Sequence, residues 1–217
     1  MPWYDHAAMD DPEESAAELS SHDRLLLVAR GLFASQGYES TTTSAIARSA
    51  GTSESQLIKH FGSKEGLLEA IFDQGWLRMG QGVRQILELP VSPLEKLRAL
   101  IELMISSLEA DGELRSLMLL EGRRIRKHGH MVVLTRGFTH VVGVIDGVLR
   151  DMRDAGQLRP ELNLQAVRSA LVGAFEGLLR DQLLAARVNY PATYDAAELR
   201  AAYAAALDGF LVREPSR

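Results

Sequence analysis

The sequence predicts an all-α protein, and three observations carry that prediction. Apolar residues recur at three- and four-residue spacing along the chain, no β-type alternation of useful length occurs, and helix caps punctuate the pattern. With 46% hydrophobic and 24% charged residues, the 217-residue chain can fill a sizeable core in one or two domains. About nine helices are expected, three short ones first and longer ones behind them.

The first helix places Leu25, Val28, Ala29, Leu32 and Phe33 on one face, and Gly37 closes it in the left-handed conformation. Thr42 or Thr43 caps the second, whose Ile46, Ala47 and Ala50 make a narrow face of small residues before Gly51 ends it. Ser53 followed by Gln56 reads as a capping box opening the third. Its inward positions are Leu57 and Phe61, which leaves Glu54, Ser55, Gln56, Ile58, Lys59 and His60 around the exposed side. Two short helices joined by a glycine turn, with polar side chains on the second, form a helix-turn-helix. Such a helix can carry hydrogen-bonding groups to base edges in a major groove.

A fourth helix runs from Lys64 to about Leu89 through Leu67, Leu68, Ile71, Phe72, Trp76 and Met79, and Pro90 stops it. Ser92-Pro93-Leu94-Glu95 combines a serine cap, proline at the first helical position and glutamate three on, starting a fifth. Asp111-Gly112 opens a sixth that Gly129 ends, and a seventh extends from about Met131 to Ala155. Asn163 caps an eighth, and Asp195 with Glu198 a ninth. The expected organisation is an acidic disordered tail at 1–19, a helix-turn-helix DNA-binding domain at 20–66, and a helical ligand-binding and dimerisation domain at 67–217.

The net charge of -5 is unevenly distributed. Residues 1–19 hold six acidic residues and no Lys or Arg, whereas residues 20–66 hold five basic against four acidic. The acidity therefore lies in the tail, and the helix-turn-helix segment is compatible with a polyanionic partner. The absence of cysteine excludes disulfides and thiolate metal sites. No apolar run approaches the length of a membrane span and the first residues are acidic where a secretion signal is basic, so the expected location is cytoplasmic, with no membrane partner.

From Leu32 to Leu68 the chain reads LFASQGYESTTTSAIARSAGTSESQLIKHFGSKEGLL. This segment resembles the tetracycline-repressor (TetR) family of dimeric, ligand-released transcription regulators. Gly37, Tyr38, Thr42, Ile46, Ala47, Ala50, Gly51, Ser53, Leu57, His60, Phe61, Ser63, Lys64, Glu65 and Leu67 all match that family's pattern at its spacing. Three positions depart from it. Ile58 stands where a tyrosine is usual, Glu54 where a lysine or small residue is frequent, and Gln56 where threonine or alanine is common. The resemblance implies a homodimer on palindromic double-stranded operator DNA, acting as a repressor released by a small hydrophobic effector. It implies Ser55, Gln56 and Lys59 near bases and Thr42, Ser53, His60 and Lys64 on phosphates. The competing expectation, motivated by Ile58 and Glu54, is a dimeric ligand-binding or protein-interaction module with a degenerate DNA reader.

In the C-terminal half, the flexible and aromatic residues Trp76, Met79, Met104, Met118, Met131, Phe138, Met152 and Phe175 are candidates for an adaptable pocket. Trp76, Met79, Met104, Met118, Phe138 and Phe175 are the ones assigned to an effector. The last two helices carry small and apolar residues on more than one face, and the resemblance implies that they pair with their copies through Gly173, Gly177, Ala204, Leu207, Phe210 and Leu211. Arg123, Arg124, Arg126, Lys127, His128 and His130 form the densest basic cluster, which suits a solvated helix end. His128 and His130 flank a glycine and do not share a helical face, so no metal site is expected there. No nucleophile elbow, phosphate-cradling glycine loop or zinc-protease helix occurs. No cofactor and no catalysis are expected.

Overall fold

Periodicity and caps translate into helices at nearly every expected place. The computed structural model describes residues 19–122 and 134–212. Among the described residues the chain forms α1 (Ser21–Gln36), α2 (Thr43–Ser49), α3 (Glu54–Phe61), α4 (Lys64–Glu88), α5 (Pro93–Ala110), α6 (Gly112–Leu120), α7 (Arg136–Asp154), α8 (Leu164–Arg187) and α9 (Ala196–Asp208). They divide into two units, one reaching Ala70 and one starting at Ile71, and α4 belongs to both. The acidic tail up to Glu18 and the basic cluster from Arg123 to His130, with Met131, lie outside the described residues.

In the first unit α1 buries Leu25, Leu26, Ala29 and Phe33. Val28 and Leu32 are half-buried, so the inward stripe is turned toward Leu26 relative to the expected one. Tyr38 fills the corner after the helix, its ring 5.0 Å from that of Phe33. Gly37 makes that corner possible: it sits at φ 87°, a conformation that a side chain resists, and its N–H closes on Phe33 O at 3.1 Å. Thr42 caps α2 by accepting from Ala45 N. Ser53 caps α3 by accepting from Gln56 N at 3.3 Å, but Gln56 does not complete the reciprocal half of the expected box. Its side chain is thereby left to solvent.

The second unit is built on α5, α7 and α8, which bury Leu100, Ile105, Ile145, Leu149, Leu171 and Phe175. Full capping boxes start α5 at Ser92 with Glu95 and α9 at Asp195 with Glu198. The Arg200 guanidinium bridges α9 to α5, meeting Glu102 at 2.9 Å and Glu109 at 2.8 Å. Tyr203 donates its hydroxyl to Leu171 O at 3.0 Å, tying α9 to α8, and burial of that phenol pushes its pKa well above the usual value.

Two expected boundaries are corrected. α6 ends at Leu120, with Glu121 N–H closing on Leu117 O at 2.9 Å, rather than continuing to Gly129. α7 begins at Arg136, not Met131, because the buried Thr135 accepts from Phe138 N at 3.2 Å and so stops the helix on its N-terminal side. Local capping overrides an apolar spacing that runs past it. Leu158 pairs with Leu211 in an isolated antiparallel bridge, flanked by Arg159 N to Phe210 O at 3.1 Å and Val212 N to Gln157 O at 3.0 Å, and among the described residues no strand forms, as the all-α expectation has it. No helix among the described residues is long and apolar enough to cross a membrane.

Candidate functional site

α3 is held from behind by Leu57, which is 0% exposed, and from its end by Phe61, half-buried and stacked 4.9 Å from the His22 ring. Eight residues supply little intrinsic helix stability, so these tertiary contacts hold the element. Its outward side presents Ser55, Gln56, Ile58 and Lys59 to solvent. His60 is exposed but tethered, with Nε2 3.1 Å from Ser21 Oγ on the first turn of α1. Thr42 and Ser53 are exposed caps whose oxygens accept from Ala45 N and Gln56 N; the Thr42 hydroxyl hydrogen can donate outward, and the Ser53 and Ser55 hydroxyls share a hydrogen bond at 2.9 Å.

Two charged residues take roles other than those expected. Lys64 does not stand free for a phosphate: its ammonium donates to Tyr38 O and Thr41 O, both at 3.0 Å, and lies 4.2 Å above the Tyr38 ring. Two carbonyls and an aromatic face use its three hydrogens, so it clasps the α1–α2 corner to the start of α4. Glu54 accepts from Thr43 Oγ1, joining the first turns of α2 and α3. A carboxylate so engaged braces the turn, which accounts for an acidic residue beside the exposed face. Arg24 serves the same corner, donating to Ala50 O at 3.0 Å and Leu19 O at 2.7 Å. Arg48, in the last turn of α2, is exposed and was not singled out from the sequence, where nothing marks which face of a seven-residue helix is solvated.

The second unit contains a cleft that brings together all six residues assigned to an effector. Trp76 and Met79 come from α4, Met104 from α5, Met118 from α6, Phe138 from α7 and Phe175 from α8, with Val141, Val142, Ile145 and Val172 between them. The space amounts to about 600 Å³ including its opening to solvent. An adjoining groove shares Phe138, Val142, Val172 and Glu176 and adds Arg168, Ser169 and Gly173. Arg168 bridges α8 to α7 by donating to Asp146 at 2.5 Å. Gly137 permits the close approach of α7 to α4: a Cβ there would lie 2.5 Å from Trp76 Cβ, and its N–H donates to Asp73 at 3.0 Å. Met152 is fully buried and belongs to the core.

The residues assigned to pairing between copies separate. A Cβ at Gly173 or Gly177 would meet nothing within 4 Å among the described residues, so no packing among them requires their smallness. Leu207 is 1% exposed in the single chain and cannot form an outer face. Ala204 is exposed but lies along a groove with Arg98, Ile101 and Ile105 of α5. Phe210 and Leu211 are half-buried, their backbone joined to the 157–159 segment. The solvated side of α9 comprises Ala201, Ala202, Ala205 and Ala206 together with Ala204, and the sequence alone did not distinguish these from their buried neighbours.

The helix-turn-helix segment, residues 25–71, matches the model of "Bacterial regulatory proteins, tetR family". Over that segment the chain carries the helix-turn-helix of the TetR family. Among similar proteins, the HTH-type transcriptional repressor KstR2 of Mycolicibacterium smegmatis is 38% identical over 104 residues, covering 47% of this chain and 48% of that protein. The match thus spans about half the length of that relative. In fold, the chain is similar to the fatty acid degradation regulator FadR from Bacillus halodurans, with a TM-score of 0.72 at 22% identity over 88% of this chain and 97% of that one. It is also similar to FadR from Bacillus subtilis, solved in complex with stearoyl-CoA, with a TM-score of 0.67 at 21% identity over 86% of this chain and 96% of that one. Both units therefore share the fold of these neighbours, an N-terminal helix-turn-helix followed by a helical C-terminal part.

Proposed function

We propose that this chain is a TetR-family repressor that binds near-palindromic operator DNA as a homodimer and leaves it when a small hydrophobic effector occupies the C-terminal cleft. The observation that carries the reading is the polar side of α3, Ser55, Gln56 and Lys59, presented outward on a helix anchored by Leu57. Ser55, Gln56 and Lys59 face base edges, and Thr42, Ser53 and His60 face phosphates. Two copies related by a twofold axis read half-sites about 34–36 Å apart or a multiple of that spacing. The engagement of Glu54 with Thr43 supports a working reader over a degenerate one, since that carboxylate has a structural task.

The convergence of six flexible or aromatic residues on one apolar cleft supports the effector half of the proposal. The stearoyl-CoA bound to the Bacillus subtilis neighbour supports an apolar chain as the part of the effector that enters it. Because α4 contributes Trp76 and Met79 to the cleft and starts at the reader, it is the covalent route between the two activities. The effector acts by binding the DNA-free conformation more tightly, since equal affinity for both shifts nothing. Selection of bound duplexes from random DNA with the purified protein tests the core of this reading. A palindromic consensus is expected, and the absence of any enriched sequence overturns it.

A further inference from the structure

The cleft that the proposed function assigns to an effector is apolar except for two groups, the indole of Trp76 and the carboxylate of Glu176. Trp76 is 6% exposed, and its Nε1 meets no acceptor among the described residues. An indole N–H can only donate, and burying it without an acceptor is unfavourable. The side chain is confined by its surroundings: α7 crosses its Cβ at Gly137, and the Phe138 ring lies 5.8 Å from its own. A buried, positioned and unsatisfied donor in a binding cavity is a specificity element, because a ligand bearing the matching acceptor gains an interaction that a hydrocarbon cannot.

We propose that Trp76 Nε1 donates to an uncharged oxygen, most simply a carbonyl, on an otherwise apolar effector. Bringing a charged carboxylate into so apolar a lining costs far more than bringing in a neutral carbonyl, so a ketone, ester or thioester is favoured over a free carboxylate. This deepens the proposed function and rests on its assignment of the cleft.

The chain has two tryptophans, so in a Trp3→Phe background Trp76 is the sole indole. That full-length protein is titrated with decan-2-one, decane and decanoate, following the indole N–H resonance by NMR and affinity by calorimetry. The ketone is expected to bind about ten-fold more tightly than the alkane. It alone should move the indole proton downfield, and decanoate should bind more weakly than the ketone. Adding Trp76→Phe is expected to equalise ketone and alkane, and the resonance in the Trp3→Phe protein provides the test independently of that second variant. Equal binding of ketone and alkane with an unmoved indole proton overturns the inference alone, as does decanoate matching the ketone. No response of Trp76 to any of the three overturns the effector assignment of the cleft together with it, while DNA selection still reports on the reader.

Discussion

Lys64 shows how the same side chain changes meaning between sequence and structure. By position it is a cation at a helix start beside a DNA reader, which is where a phosphate ligand belongs. In the fold its ammonium is committed to Tyr38 O, Thr41 O and the Tyr38 ring. Lys64→Ala is therefore expected to lower the stability of the protein by about 1–3 kcal/mol in urea denaturation, through two lost charge-assisted hydrogen bonds, although Tyr38 O keeps its bond from Thr41 N, while the salt dependence of DNA binding keeps its slope. Lys59 is the contrasting case, exposed on α3 and making no hydrogen bond or ion pair among the described residues. Lys59→Ala should leave stability unchanged and flatten the slope of log affinity against log salt by about one unit in binding titrations. If the two variants exchanged behaviours, the assignment of clasp and DNA contact would be reversed.

At the level of helices, closeness between neighbours depends on a few positions. Gly137 lets α7 start against Trp76, and a methyl group there would have to displace the Trp76 side chain or shift a helix. Gly137→Ala is expected to cost about 1–3 kcal/mol in thermal or urea unfolding and to weaken effector binding, because the displaced atoms wall the cleft. Tyr203→Phe removes only the hydroxyl that reaches Leu171 O, so a loss of about 1 kcal/mol in urea unfolding is expected. Its raised pKa has a further consequence. Folding favours the neutral phenol, so its contribution is complete below the ordinary tyrosine value near pH 10 and declines as pH rises above that. The variant should accordingly lose less stability than the wild type between neutral pH and strongly alkaline pH.

For the proposed dimer, the informative residues are those the single chain leaves unused. A Cβ at Gly173 would meet nothing within 4 Å among the described residues, so adding one displaces no neighbour and gains helix propensity. Gly173→Arg is expected to preserve the unfolding transition of the chain while converting a dimer to a monomer in sedimentation, with loss of tight operator binding. A variant that remained dimeric with full operator affinity would remove this face of α8 from the proposed interface. Leu207 marks the limit of reading an interface from helix composition, since its apolar side chain is consumed inside the monomer.

Local rules made most of this protein legible. Ser92, Asn163 and Asp195 announce helix starts through hydrogen bonds that span three residues, and Gly37 a stop through a conformation that other residues avoid, so each can be read without knowing any distant partner. The convergence of Trp76, Met104 and Phe175 was also foreseeable, because large flexible apolar groups on successive amphipathic helices turn to a common interior. What sequence could not supply was the partner of each polar group and the outer face of each small-residue helix. Glu54 with Thr43, Lys64 with Tyr38 O, and the burial of Leu207 beside exposed Ala205 all depend on the rotation of one helix against another. That rotation is set by the summed packing of many side chains, a non-local quantity that no short stretch of residues encodes.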